Sequence, residues 1–268
     1  MNQQQRQDAI VDLVRREGYA SIEQLTEHFA VTPQTIRRDL NALAGEGMIR
    51  RVHGGAGLES STVNTAYATR KTLNLEAKRR IARLLATKVP DGSSLFINIG
   101  TSNEVVAEAL LEHHRELEII TNNLNVAAIL QHKEDFNVII AGGQVRSRDG
   151  GIIGEATIDF INQFKVDYGI IGISGIDEDG SLLEFDYQEV RVAQAIIHNS
   201  RHVYLVADHS KFHRNPTVRQ GNVTQIDALF TDRRPPQAIC QLMQRHDVAL
   251  HIADYLAERA GVRATSVA

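Results

Sequence analysis

Apolar positions in the first part of the chain recur at helical spacing, in short blocks separated by turn residues. Residues 3–16 set Ile10, Leu13 and Val14 on one side of an amphipathic helix that Gly18 should end. Residues 21–38 predict a short helix, a tight turn and a second helix, within a helix-turn-helix motif spanning about 20–39. Ser21 is placed to cap the first helix, and Gln24 three residues on completes a capping box. Leu25, Phe29 and Val31 supply its buried side. Thr32 caps the next helix, and Pro33 takes the first helical position, where no backbone donor is lost. Ile36, Leu40 and Leu43 then fall at i, i+4 and i+7 and form one apolar stripe.

Gln34, Thr35, Arg37, Arg38 and Asn41 must lie off that stripe. These residue types hydrogen-bond base edges and phosphates, and a helix presenting them from its first turns suits the major groove. The stretch from Met48 to Gly55 is strand-like and basic and ends in a glycine turn, as a wing would be. Arg50, Arg51 and His53 are placed there to reach phosphate or the minor groove. The expected partner is double-stranded operator DNA, contacted by Ser21, Thr32, Gln34, Thr35, Arg37, Arg38, Asn41, Arg50, Arg51 and His53. The competing reading is a small helical bundle with a solvated charged face. Cap, proline, stripe, arginine pair and wing all agree on DNA, and consistency across levels favours it.

The pattern then changes. Gly57 to Asn64 is small and polar, and residues 58–75 read as a linker. Thr65 to Ala86 returns to helical spacing, with Arg70, Lys71, Lys78, Arg79 and Arg80 expected on the solvated side. Beyond Pro90, short apolar runs at 94–99, 117–120, 137–140, 168–171, 203–206 and 228–230 alternate with helical segments. That alternation predicts an α/β sheet with its sites at the strand carboxyl ends. The domains expected are a winged helix-turn-helix at 1–57 and an α/β effector-binding domain at 76–253, with a flexible tail at 254–268.

Composition refines this. A length of 268 residues fits one or two domains. The single cysteine, Cys240, excludes an internal disulfide and suits a reducing cytoplasm. No apolar run approaches a membrane span, and the polar start is not that of a signal peptide. The net charge of −4 is unevenly distributed. Residues 1–83 hold 13 Lys+Arg against 9 Asp+Glu, and the remainder 16 against 24. A chain polarised in this way can meet DNA with its basic end.

The loops after the strands carry the second candidate chemistry. Asn98 to Ser102 lies where a strand enters a helix: glycine lets a backbone approach an anion, hydroxyls donate, and the helix start adds positive potential. Thr121-Asn122-Asn123, Gly142-Gly143 and Gly150 to Gly154 mark later turns, and Lys211 offers a cation to a phosphate. There is no P-loop and no G-x-G-x-x-G, so no nucleotide cofactor is expected. Asp208, His209 and Ser210 are consecutive, so their side chains diverge rather than form a triad. No Cys/His set has zinc spacing, and no metal is expected.

Val31-Thr-Pro-Gln-Thr-Ile-Arg-Arg-Asp-Leu40 and Arg51-Val-His-Gly-Gly-Ala56 resemble the DeoR family of bacterial transcriptional regulators. Longer runs extend the likeness: Thr121 to Val126, Arg146 to Ala156, Gly172 to Asp186 and Asp208 to Phe212. The resemblance implies a homo-oligomeric repressor, dimer or tetramer, released from its operator by glycerol-3-phosphate or a related small phosphorylated sugar or polyol. It implies an effector site drawn from Asn98, Gly100, Thr101, Ser102, Thr121, Asn122, Asn123, Gly142, Gly143 and Lys211. It also implies a sensing domain similar in fold to ribose-5-phosphate isomerases, which raises a rival reading as a sugar-phosphate isomerase carrying a DNA-binding domain. The segment matching the isomerases' carboxylates reads Ser174-Gly-Ile-Asp177 and lacks the first of them. Asp177 and Glu189 are therefore expected to accept ligand hydroxyls rather than to shuttle protons. Asn98 stands where many family members carry Asp.

Overall fold

Capping and stripe produce the first unit as the pattern predicts. In the computed structural model, residues 2–17, 19–46, 48–52, 54–57, 64–212 and 214–253 are described. The chain divides into two units, Met1–Leu73 and Asn74–Ala268. In the first, α1 (Gln3–Glu17), α2 (Ile22–Phe29) and α3 (Pro33–Gly45) enclose Ile10, Val14, Leu25, Ile36, Leu40 and Leu43. A three-stranded antiparallel sheet joins them, with β1 (Tyr19–Ser21) and β2 (Arg50–Val52) on either side of β3 (Gly55–Gly57). Gly55 has to be glycine: a Cβ there would lie 2.2 Å from the Ala20 carbonyl. Helix α4 (Tyr67–Thr72) completes the described part of this unit.

The single helix expected over Thr65 to Ala86 is two. After α4, Asn74 takes a left-handed conformation at φ 54°, and α5 (Leu75–Ala86) begins beyond it. Asparagine tolerates that region better than most residues.

In the second unit α5 is followed by β4 (Ser94–Ile97), α6 (Thr101–His113), β5 (Glu118–Thr121), α7 (Leu124–Leu130) and β6 (Asn137–Ile140). A short pair, β7 (Gln144–Val145) and β8 (Ile152–Ile153), precedes α8 (Glu155–Ile161) and β9 (Val166–Gly172). Then come β10 (Gly175–Ile176), β11 (Ser181–Glu184), α9 (Tyr187–His198), β12 (Ser200–Val206), β13 (Val218–Asn222), β14 (Ala228–Thr231), α10 (Gln237–Arg245) and β15 (Ala249–Ile252). Seven strands form one parallel sheet in the order β15-β14-β12-β9-β4-β5-β6. Neighbouring residues alternate between two cores: Leu95, Ile119, Ile170 and Phe230 join one, and Phe96, Ile120, Ile171 and Leu229 the other. A parallel sheet covered on both faces needs such continuous apolar runs, which is why those strands were legible. The strands outside the main sheet, β7, β8, β10, β11 and β13, and its edge strand β15, do not stand out in the apolar pattern.

This strand order fixes where the loops after the strands lie. The chain moves from β4 outward through β5 and β6, then returns to build β9, β12, β14 and β15 on the other side. The switch point lies between β4 and β9, the place at which open α/β sheets form their crevice.

Candidate nucleic-acid interface and effector site

On the first unit, Ser21 and Gln24 form the expected capping box, with N···O distances of 3.0 and 2.9 Å. Thr32 accepts from the Thr35 amide at 3.3 Å and starts α3. Thr32, Gln34, Thr35, Arg37, Arg38 and Asn41 line one recess on the surface of α3. Gln34, Arg37, Arg38 and Asn41 are exposed, as is Arg50 on β2. Arg51 is also exposed, but it turns back onto the helix and donates to Asn41 Oδ1 at 3.0 Å and to the Arg37 carbonyl at 3.3 Å. Ser21 and Thr32 spend their hydroxyls on caps. His53 lies outside the described residues.

Asp39 went unread as a structural residue. It is 1 % exposed and takes the Arg6 Nε–H at 2.6 Å and the Gln7 amide at 3.3 Å. This pair ties α1 to α3.

In the second unit, β4 ends in Asn98-Ile99-Gly100 and α6 starts at Thr101. Gly100 precedes the helix at φ 133°, a value that favours glycine. Among the described residues no side chain caps α6, so the backbone donors of its first turn take no side-chain acceptor. Thr101 and Ser102 are buried in this turn. Asn98 accepts from the Ile99 amide at 2.8 Å. Asn103 donates to the carbonyls of Asn98 and Ile99 at 3.0 and 3.1 Å and fixes the loop, while its buried Oδ1 has no partner among the described residues.

Lys78 corrects the sequence reading. Placed on the solvated side by expectation, it is 3 % exposed, and its Nζ donates to Thr101 Oγ1 at 3.0 Å. The signal was present: Lys78, Ala82 and Leu85 fall at i, i+4 and i+7, so the lysine stands on the apolar stripe of α5. A lysine on such a stripe has to find an anion or an acceptor. Arg70 and Arg80 are half-buried, and only Lys71 and Arg79 of that set are exposed.

Asp208 belongs to the same neighbourhood. Burial pushes its carboxyl up, but Lys211, the Ser210 hydroxyl and Lys78 outweigh that and hold it below the ordinary carboxylate range. Asn74 donates to it at 2.9 Å, so α5 meets this turn through both Asn74 and Lys78. Phe212 bridges in parallel to Ile176, which brings β10 beside the Asp208–Lys211 turn. His209 pairs with Asp232 at 2.7 Å, while Ser210 bonds Asp208.

The remaining predicted residues divide by use. Thr121 donates to the Ile97 carbonyl and accepts from the Asn123 amide, Asn122 donates to the Ile152 carbonyl, and Asn123 caps α7. These side chains brace the loops from inside the fold. Asn122 Oδ1 is buried and has no partner among the described residues. Asp177 sits in the turn between β10 and β11, where its Oδ1 accepts from the Glu178 amide. Glu189 is 15 % exposed and ion-paired with Arg146 at 2.8 Å, a partner that sequence reasoning missed. Arg146 also binds Asp149 and Asp186. A Cβ on Gly151 would lie 2.9 Å from Ile99 Cγ2 and 3.4 Å from Arg146 Nη2, so Arg146 stands next to the β4–α6 loop.

Gly142 and Gly143 form a structural turn: Thr157 donates to the Gly142 carbonyl at 2.9 Å. A Cβ on Gly143, at φ 152°, would lie 2.1 Å from Thr157 Oγ1 and 2.9 Å from the Ile153 carbonyl. Gly143→Ala is expected to cost ~1–3 kcal/mol by overpacking. Urea denaturation checks this, and an unchanged midpoint would show that the turn has room.

Among the described residues, no group of three His, Cys, Asp or Glu side chains is placed to hold a metal ion, and no helix is long and apolar enough to cross a membrane.

A helix-turn-helix unit carried on one chain with a parallel α/β unit that leaves a helix start open at its switch point is the architecture of a ligand-sensing transcriptional regulator. The chain belongs to the DeoR family: the DeoR-like helix-turn-helix domain matches residues 6–62 and the DeoR C terminal sensor domain residues 73–233. It is 59% identical over 252 residues to the glycerol-3-phosphate regulon repressor of Escherichia coli strain K12, covering 94% of this chain and 100% of that protein. The glycerol-3-phosphate regulon repressor of Haemophilus influenzae is 51% identical, over 91% of this chain and 95% of that protein. The HTH-type transcriptional repressor CsqR of Escherichia coli is 43% identical, over 91% and 94%. Among solved structures, ribose 5-phosphate isomerase A of Methanocaldococcus jannaschii matches with a TM-score of 0.39 at 13% identity, covering 53% of this chain and 56% of that one.

Proposed function

We propose that the protein is a transcriptional repressor of glycerol-3-phosphate metabolism genes, and that glycerol-3-phosphate or a related small phosphorylated polyol releases it from its operator. The observation that carries this reading is near-full-length identity to glycerol-3-phosphate regulon repressors in a chain whose α3 exposes Gln34, Arg37, Arg38 and Asn41. The effector's phosphate takes the open start of α6, at Gly100, Thr101 and Ser102, with Lys78 and Lys211 as its cations. Asn98 and the glycine turns shape the loop, and Glu189, oriented by Arg146, accepts a ligand hydroxyl. The effector must favour a conformation of lower DNA affinity, since equal affinity for both states would shift nothing. The protein works in the cytoplasm as a homo-oligomer, dimer or tetramer, whose symmetry is mirrored in paired half-sites. It is not an enzyme: Ser174 stands where the isomerases' first carboxylate would be, Asp177 caps its own turn, and Glu189 is ion-paired.

Binding of the full chain to duplexes drawn from upstream of glycerol-3-phosphate genes, titrated with glycerol-3-phosphate, tests the reading. Release by that compound and not by inorganic phosphate is expected; indifference to both would overturn it. Arg37→Ala and Arg38→Ala sharpen the test. Where the arginine reads guanine bidentately, its loss costs ~1–3 kcal/mol and relaxes specificity at that base. Where it touches phosphate, all sequences weaken together and the salt slope drops by about 1. Unchanged affinity in both variants would remove α3 as the recognition helix.

A further inference from the structure

We propose that Arg51 is a positioning residue that decides which base Asn41 reads. The inference rests on the DNA-binding reading above and adds a specificity rule to it. Arg51 donates to Asn41 Oδ1 at 3.0 Å and to the Arg37 carbonyl at 3.3 Å. A guanidinium has no acceptor, so only the oxygen of the Asn41 amide can face it. The orientation of that amide is therefore set by chemistry. Its Nδ2 has no hydrogen-bond partner among the described residues, and the residue lines the same exposed recess as Gln34, Thr35, Arg37 and Arg38.

The strand that carries Arg51 is held in place. Arg51 is in register with Ala56 of β3, and β3 pairs in turn with β1 through Ala20. The missing side chain at Gly55 lets β3 close onto β1, so the wing cannot drift without opening that sheet. The guanidinium is presented to Asn41 from a fixed strand.

The consequence is a donor-only asparagine. An asparagine reads adenine by using its oxygen on N6–H and its nitrogen on N7 together. Here Arg51 takes one lone pair of the oxygen and turns it toward the strand, so the group presented outward is the NH2. Guanine offers two acceptors, N7 and O6, at the same edge; adenine and thymine offer one each, N7 and O4, adenine's beside a donor, and cytosine offers only a donor. Asn41 is therefore assigned a guanine. Arg51 is not, on this account, mainly a contact to the DNA backbone.

Three substitutions turn the rule into different base preferences. Arg51→Ala frees the amide to rotate, and adenine should rise to equal or exceed guanine at one position. Arg51→Lys still donates to the amide oxygen and should keep guanine. Asn41→Asp keeps the contact with Arg51, as an ion pair, but points an acceptor outward and should shift the preference to cytosine. All of these side chains are exposed, so the buried core is untouched. The experiment is selection of binding sequences by the full chain from a randomised double-stranded DNA library. Affinities for every single-base-pair variant of the selected duplex are then measured at two salt concentrations. Preferences of roughly tenfold or more between bases are expected at the affected position. Uniform weakening by Arg51→Ala with unchanged base preference, and a salt slope lower by about 1, would make Arg51 a phosphate contact and overturn the proposal. So would a guanine preference that survives Asn41→Asp. A wild-type chain that enriches no sequence would remove the DNA-binding reading itself, and the specificity rule with it.

Discussion

Lys78→Gln yields a repressor that still binds its operator and no longer responds to glycerol-3-phosphate. The substitution keeps a hydrogen-bond donor near Thr101, on a side chain one atom shorter, and removes the charge that also faces Asp208. The native ammonium is buried at the start of α6, 3.0 Å from Thr101 Oγ1, where a phosphate dianion would also find uncapped backbone donors. A hydrogen bond between charged groups contributes about 1.5–3 kcal/mol, so half-release should need roughly ten to a hundred times more effector. DNA affinity without effector should stay near wild type, because Lys78 lies in the second unit and the reading helix in the first. Lys88→Gln, an exposed lysine two residues beyond the end of α5, serves as the control and should leave the release curve unchanged. Lys78→Arg retains charge and should respond at least in part. Operator release against effector concentration, with a melting curve for each variant, decides the matter. A wild-type curve for Lys78→Gln would remove its phosphate role.

Asp39→Ala is the substitution expected to do most damage to folding. Its carboxylate is 1 % exposed and accepts from Arg6 at 2.6 Å and Gln7 at 3.3 Å. Removing it strands a mostly buried guanidinium between α1 and α3. Breaking a buried pair from one side costs ~3–5 kcal/mol, and a whole domain is usually stable by only about 5–15 kcal/mol. The first unit should therefore melt at much lower temperature, with operator binding lost and effector binding by the second unit retained. Arg6→Leu/Asp39→Leu removes both charges and should recover most of the stability, since an apolar pair of fitting volume is often neutral or better. Denaturation followed by a probe in each unit separates the transitions. A double variant as unstable as Asp39→Ala would show that the ion pair is not what the single variant loses.

Much of this protein is written locally. The helix-turn-helix was legible because caps, a first-turn proline and a stripe at i, i+4, i+7 act over a few residues, and Ser21, Thr32, Ile36 and Leu40 do what their spacing requires. The main sheet was legible because a parallel sheet covered on both faces needs continuous apolar runs. The helix start at Thr101 was legible because an apolar strand run gives way there, across a glycine, to helical spacing. What the sequence left undecided depends on partners far along the chain. Asp39 looked like one more polar residue on α3 until Arg6, 33 positions earlier, reached it. Glu189 looked free until Arg146, 43 positions earlier, took one of its oxygens. Lys78 looked solvated until the turn of α5 and the order of the strands brought it to Thr101. Local propensity fixes helices and strands, because its interactions span a turn or two. Which buried charge meets which counter-charge is decided by topology, because only the assembled sheet brings those residues within hydrogen-bonding distance.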